Sequence, residues 1–198
     1  FAELVLLDPG IGEDSRKYLQ EMIDAAKKCS HMMNGLSGMT HKRKAGGGIA
    51  DMAPLIKEAL ALNAYDFKVA GIHFESDIHE DLPTMMVDAA NLKLALSALL
   101  VNMQEALTDQ KDRQARLCAR INDTKLVLEA WNAGPVIPEA IRDRIFEPLF
   151  TTKTGPHLGL GLPIARRIAE NHDGALEYDP ERGFLLTLPI ERALDPPN

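Results

Sequence analysis

Between residues 15 and 42 the apolar or small positions fall at Leu19, Met22, Ala26, Cys29, Met33, Leu36 and Thr40, in alternating steps of three and four. That spacing is a heptad seam and predicts a long helix that needs a partner helix. A helical hairpin within the chain and a coiled-coil-like dimer both satisfy it. Ahead of the seam, residues 2–7 read as the tail of another helix, ended by Asp8-Pro9-Gly10. Behind it, Lys42-Arg43-Lys44 forms a basic last turn, and Ala45-Gly46-Gly47-Gly48 follows as a flexible link. The expected organisation is a helical segment over 1–44, a linker over 45–53 and a second domain over 54–198.

The second domain alternates periods. Residues 52–62 are amphipathic and helical, Phe67–Val69 and Ile72-Phe74-Ser76 alternate like strands, and Asp88 is placed to cap a helix over 89–107. Residues 116–121 and 126–131 flank Asn122-Asp123-Thr124, a hairpin signal. A short helix is predicted over 138–145, opened by Pro138, and another over 163–171. Strands over 175–178 and 184–189 close the domain. The fold class is therefore α+β: one mixed sheet with helices on one face.

Composition narrows the function more than the fold. The 198 residues carry a formal net charge of −7, which argues against a nucleic-acid surface. No apolar run reaches the ~20 residues that cross a bilayer, and no signal peptide opens the chain. Cys29 and Cys118 are far apart, without metal-ligand spacing, and read as reduced thiols of a cytoplasmic protein. The first residue is Phe rather than Met, which predicts a piece of a longer chain.

Candidate chemistry lies between residues 132 and 168. Gly134 follows a predicted strand where backbone can approach a flat ligand. Gly159 and Gly161 precede Pro163-Ile164-Ala165-Arg166-Arg167-Ile168, so free N–H groups at a helix N-terminus face an incoming anion. Between them Phe146 and Phe150 flank Pro148. The combination points to a nucleotide site with a movable flap.

Four stretches carry a resemblance. Arg144-Ile145-Phe146-Glu147-Pro148-Leu149-Phe150-Thr151-Thr152-Lys153 resembles the F box of bacterial two-component sensor histidine kinases, close to the nitrogen-regulatory and hybrid subgroup. Gly159-Leu160-Gly161-Leu162-Pro163-Ile164-Ala165 resembles the second glycine box, Leu99 to Ala106 the N box, and Asn132-Ala133-Gly134-Pro135-Val136-Ile137-Pro138 the first glycine box. The resemblance implies a Bergerat-type (GHKL) ATP-binding α/β sandwich after the remnant of a dimerisation and phospho-acceptor helical hairpin.

It also implies roles. Asn102 would hold Mg²⁺ against the phosphates, with Glu105 in the same box. Asn132 would meet the adenine amino group, and Gly134 would admit the ring. Leu158, Gly159, Leu160, Gly161 and Leu162 would cradle the phosphates of ATP. Thr151, Thr152 and Lys153 would begin a lid over 151–157, positioned by Phe146 and Phe150, and Thr187 would support the adenine end. Trp131 reads as packing beside the pocket. The implied activity transfers the γ-phosphoryl group to a histidine and then to a response-regulator receiver domain. The implied partners are a second copy, through 15–42, and that receiver domain. No nucleic acid or direct membrane contact is implied.

Three positions depart from the family pattern. Asn132 stands where a carboxylate is usual, Val136 where a glycine is, and Ala98 where the first N-box asparagine is. They keep open a second reading, a pseudokinase acting as a dimeric scaffold. A chaperone-type or mismatch-repair-type ATPase is disfavoured by the F box and the heptad helix. His31 reads as an ordinary helical histidine, and the acceptor histidine is expected upstream of Phe1, as the family spacing implies.

Overall fold

The computed structural model describes residues 12, 15, 47–153 and 157–190. The chain divides into two compact units, Phe1–His41 and Lys42–Asn198, and the elements below all lie in the second. Residues 16–42 of the heptad segment, His31 among them, fall outside the described residues.

In chain order the elements are β1 (Gly48–Asp51), α1 (Met52–Val69), β2 (His73–Ile78), β3 (Thr84–Val87), α2 (Ala89–Ala106), β4 (Gln114–Asn122), β5 (Lys125–Asn132), α3 (Glu139–Arg142), α4 (Gly161–Asn171), β6 (Ala175–Asp179) and β7 (Gly183–Pro189). Five strands form one mixed sheet in the order β2-β4-β5-β7-β6, with β2 parallel to β4 and the other pairs antiparallel. Strands β1 and β3 form a separate antiparallel pair. Helix α2 packs against both α1 and α4, and the three cover the sheet's apolar face. This is the expected α+β sandwich.

Alternation explains the sheet. Ala115, Leu117 and Ala119 of β4, Leu126, Leu128 and Ala130 of β5, and Phe184, Leu186 and Leu188 of β7 are buried toward the helices. The opposite face mixes apolar Val127, Trp131 and Leu185 with charged Arg116, Arg120 and Glu129. Glu129, only 7% exposed there, accepts from Arg120 Nη2 at 3.1 Å and Arg182 Nη2 at 2.9 Å, which keeps its carboxylate compensated. Helix α2 presents Leu92, Leu96, Leu99, Leu100 and Met103, each at most 1% exposed. Burying each contributes about 1.5–3 kcal/mol.

The structure departs from the sequence expectation in several places, among them α3, which is confined to Glu139–Arg142 within the expected 138–145. Phe67–Val69 is the last turn of α1, not a strand. Gly71, at φ 66°, ends the helix, with Ile72 N–H donating to Phe67 C=O and Gly71 N–H to Lys68 C=O. Three alternating residues are too few to tell a strand from a helix end, and the stacking of Phe67 on Phe74 at 4.8 Å is a tertiary contact. Residues 48–53, inside the stretch expected as linker, form β1 and the start of α1, where Met52 is fully buried. Strand β3 had no local signal, because it exists by pairing with β1. The hairpin 122–125 is as expected, with Asp123 at φ 54° in its turn.

Asp88 caps α2 by accepting from Asn91 N–H at 3.0 Å. Its own N–H donates to His172 Nε2 at 3.0 Å, and His172 Nδ1 lies 2.8 Å from Ile168 C=O. Because Nε2 accepts, Nδ1 carries the proton, and this neutral ring joins the start of α2 to the end of α4. Asp88→Ala should lower stability by about 1 kcal/mol. A urea transition would show a lower midpoint at unchanged slope, and an unmoved midpoint would mean the cap is redundant.

Candidate nucleotide site

One row of α2 organises the site. Ala98, Asn102 and Ala106 are four residues apart and so lie along one side of the helix, over about 12 Å at 1.5 Å per residue. At one end a Cβ added to Gly161 would meet Ala98 Cβ at 3.8 Å. At the other, a Cβ on Gly134 would lie 2.9 Å from Ala106 C=O and 3.3 Å from Asn132 Oδ1. The row thus runs from the start of α4 to the end of β5, with Asn102 between them.

Asn132 ends β5 on the helix-facing side, opposite Ala115 in the register. Its Oδ1 is buried and has no hydrogen-bond partner among the described residues. An orphaned buried acceptor costs about 1–3 kcal/mol, which a ligand N–H would recover. Gly134 is required by the protein itself, since any side chain there would press on the Ala106 carbonyl.

Helix α4 begins at Gly161, two residues earlier than expected, with Leu160 as its N-cap. No side chain caps it and no acid lies in its first turn. Pro163 has no N–H and Ile164 N–H already donates to Leu160 C=O. The N–H groups of Gly161 and Leu162 therefore remain for an anion. The contrast between the two glycines is informative. Gly159, at φ 61°, sits where a Cβ would be 2.3 Å from Phe150 C=O, so the backbone demands glycine. Gly161 is exposed and has no such crowding, so its missing side chain leaves open space at the helix start.

Charges converge at the middle of the row. Lys153 Nζ donates to Asn102 Oδ1 at 3.1 Å and to Glu105 Oε2 at 2.5 Å. His157 Nδ1 lies 3.0 Å from Glu105 Oε1. Asn102 and Glu105 thus already hold a cationic group between their oxygens. His157 was not among the expected site residues, because nothing in local sequence announces a contact to Glu105.

The F box is pinned at both ends. Leu149 N–H donates to Gly159 C=O at 3.1 Å, and Phe150 N–H to Glu147 C=O at 3.2 Å. Phe146 meets Phe184 edge-on at 6.3 Å, and Phe150 lies under the Arg144 guanidinium at 4.3 Å. Both phenylalanines thus anchor the entrance to the expected lid. Thr151 and Thr152 are exposed, Thr151 Oγ1 accepting from Lys153 N–H at 3.1 Å, and residues 154–156 lie outside the described residues. Leu158 is exposed, and Leu162 packs against the core.

The structure does not bring Thr187 to the others. It faces away from the helices, between Phe184-Leu186-Leu188 positions that face in, and pairs with Val127 rather than with the Asn132 end of β5. A threonine near the chain's last strand carried no register information on its own.

Among the described residues, no three His, Cys, Asp or Glu side chains are grouped to hold a metal, and no helix is long and apolar enough to cross a membrane. The resolved pKa shifts lie elsewhere. Burial pushes the Cys118 thiol up, and the backbone N–H groups of Arg182 and Glu181 hold the Asp179 carboxyl down.

Comparison with known proteins agrees with this geometry. Residues 87–192 match the family profile described as histidine kinase-, DNA gyrase B-, and HSP90-like ATPase. The C4-dicarboxylate transport sensor protein DctS of Rhodobacter capsulatus is 25% identical over 88% of this chain and 27% of its own length. The adaptive-response sensory kinase SasA of Gloeothece citriformis is 30% identical over 71% of this chain and 37% of its own. The chain thus spans roughly a quarter to two fifths of these relatives. Among solved structures, a nucleotide-free catalytic domain of the histidine kinase ThkA superposes with a TM-score of 0.63 at 28% identity, covering 72% of this chain and 95% of that one. With the profile matching over more than half of its length, the chain belongs to the histidine kinase-, DNA gyrase B- and HSP90-like ATPase family, and its described core is an ATP-binding catalytic domain of the sensor histidine kinase type.

Proposed function

We propose that the chain binds Mg²⁺–ATP along the α2 row and supplies its γ-phosphoryl group to a histidine of the dimerisation helices, expected upstream of Phe1. The observation that carries the reading is the buried, unpartnered Asn132 Oδ1 at one end of the α2 row, whose other end meets the uncapped start of α4. The base end would give its N–H to Asn132, and the phosphates would take the N–H groups of Gly161 and Leu162. In the transfer the acceptor imidazole nitrogen bonds to the γ-phosphorus, the bond to the bridging oxygen breaks, and ADP leaves. The chain's own contribution is positioning and charge compensation. A receiver-domain aspartate then takes the phosphoryl group, and residues 15–42 pair with a second copy.

Asn102 and Glu105 suit the metal. Mg²⁺ favours hard oxygen donors and binds through one or two protein groups plus substrate phosphates, so no larger cage is required. When bound it neutralises phosphate charge. Lys153, which now donates to both residues, would be released toward the phosphates. The pseudokinase reading draws on the same contact, since an ammonium held by Asn102 and Glu105 opposes metal entry.

A thermal-shift titration with ADP, with and without Mg²⁺, separates the two. Binding of the folded state alone adds about 2.7 kcal/mol at a ligand concentration of 100 Kd. The kinase reading expects a Mg²⁺-dependent rise that Asn102→Ala removes, and no rise at millimolar nucleotide favours the pseudokinase. The two glycines give an independent check. Gly159→Ala should cost about 1–3 kcal/mol of stability through its positive φ and the Phe150 carbonyl. Gly161→Ala should leave the unliganded transition nearly unmoved while weakening nucleotide binding at least tenfold. Equal affinity in Gly161→Ala would remove the start of α4 from the phosphate site.

A further inference from the structure

We infer that Asn132 makes this site tolerant at the purine 6-position, so that it takes 6-oxo as well as 6-amino purine nucleotides. The inference rests on the nucleotide reading above and specifies its substrate class.

The argument starts from the orphaned amide. Asn132 Oδ1 is buried without a partner among the described residues. Among the groups beside it are Ala115 across the strand pair, Gly134 two residues on, and the last turn of α2 at Ala106. None of these side chains carries a charge or a hydrogen-bonding group that would hold the amide one way round. An amide has an acceptor at one end and two donors at the other, in nearly the same shape, and a half-turn about its last torsion exchanges them.

A 6-amino purine presents a donor at this edge, and Oδ1 accepts it. A 6-oxo purine presents an acceptor there, and N1 changes from acceptor to donor with it. The turned amide then donates from Nδ2 to the ring oxygen, so one hydrogen bond forms in either case. A carboxylate in the same place has no such choice, because it only accepts. Held against the 6-oxo oxygen in the pose that suits a 6-amino group, it would set two buried acceptors against each other, relieved only if the ring shifts to offer N1–H instead. Strong discrimination comes from that unpaired pair rather than from the bond gained with the right partner. With an amide at 132, the penalty that would reject a 6-oxo ring is missing.

The test is calorimetric titration of the 198-residue chain with Mg²⁺–ADP and Mg²⁺–IDP. Inosine differs from adenosine only at this edge and adds no 2-amino group, so sterics do not enter. The expected result is a pair of Kd values within tenfold of each other. In Asn132→Asp, ADP should bind as well or better and IDP worse, widening the ratio at least tenfold. ADP binding with IDP more than tenfold weaker in the parent chain overturns the inference and leaves the nucleotide reading standing. Binding of neither overturns both. An unchanged ratio in Asn132→Asp overturns the assignment to this residue, and if that variant fails to fold, the parent ratio decides alone.

Discussion

Everything in the described domain depends on how α2 is packed. Its apolar stripe, Leu92-Leu96-Leu99-Leu100-Met103, is fully enclosed between α1, α4 and the sheet, so the helix can neither rotate nor slide without opening the core. The row beside the stripe, Ala98-Asn102-Ala106, lies between the start of α4 and the end of β5. The small residues at its ends let the start of α4 and the turn after β5 come close, and the polar residue in the middle faces the gap between them. The candidate site thus lies on a helix whose apolar stripe is committed to packing.

Within that frame the site is held in electrical balance by its own residues. Glu105 is satisfied by Lys153 and His157, and Asn102 by Lys153, so neither is stranded without a ligand. Asn132 is the exception, because no described neighbour reaches its Oδ1. Its Cβ direction is set by the pleat of β5 and its surroundings by alanines and a glycine, which are there for close packing and have nothing to donate. An unmet acceptor in a well-packed domain is an expensive feature, and it is the observation on which the proposed nucleotide reading rests.

Charge elsewhere is arranged to cover rather than to bind. On the open face of the sheet, Arg116, Arg120 and Arg182 converge on Glu129, and Val127 is shielded beside them. The arginines are directed at an internal carboxylate.

Sequence alone was sufficient wherever a signal was local and repeated. The 18 residues of α2 and the cap at Asp88 were legible because a 3.6-residue period and an N-cap acid are written in consecutive positions. The β4–β5 hairpin was legible because its turn chemistry sits between two alternating runs. The ordered motifs point to the same stretch that the structure gathers around α2 as a candidate nucleotide site. Only the tertiary structure decided the rest. Strands β1 and β3 exist through each other, the Phe67–Phe74 stack joins the end of α1 to β2, and Thr187 needed the register of β7 to show which way it faces. The partners of Glu105 lie 48 and 52 positions along the chain. That Gly134 yields to a helix carbonyl, whereas Gly161 yields to nothing in the protein, is a statement about distances across the core. Local propensity cannot carry such information, because these contacts join residues that only packing brings within reach.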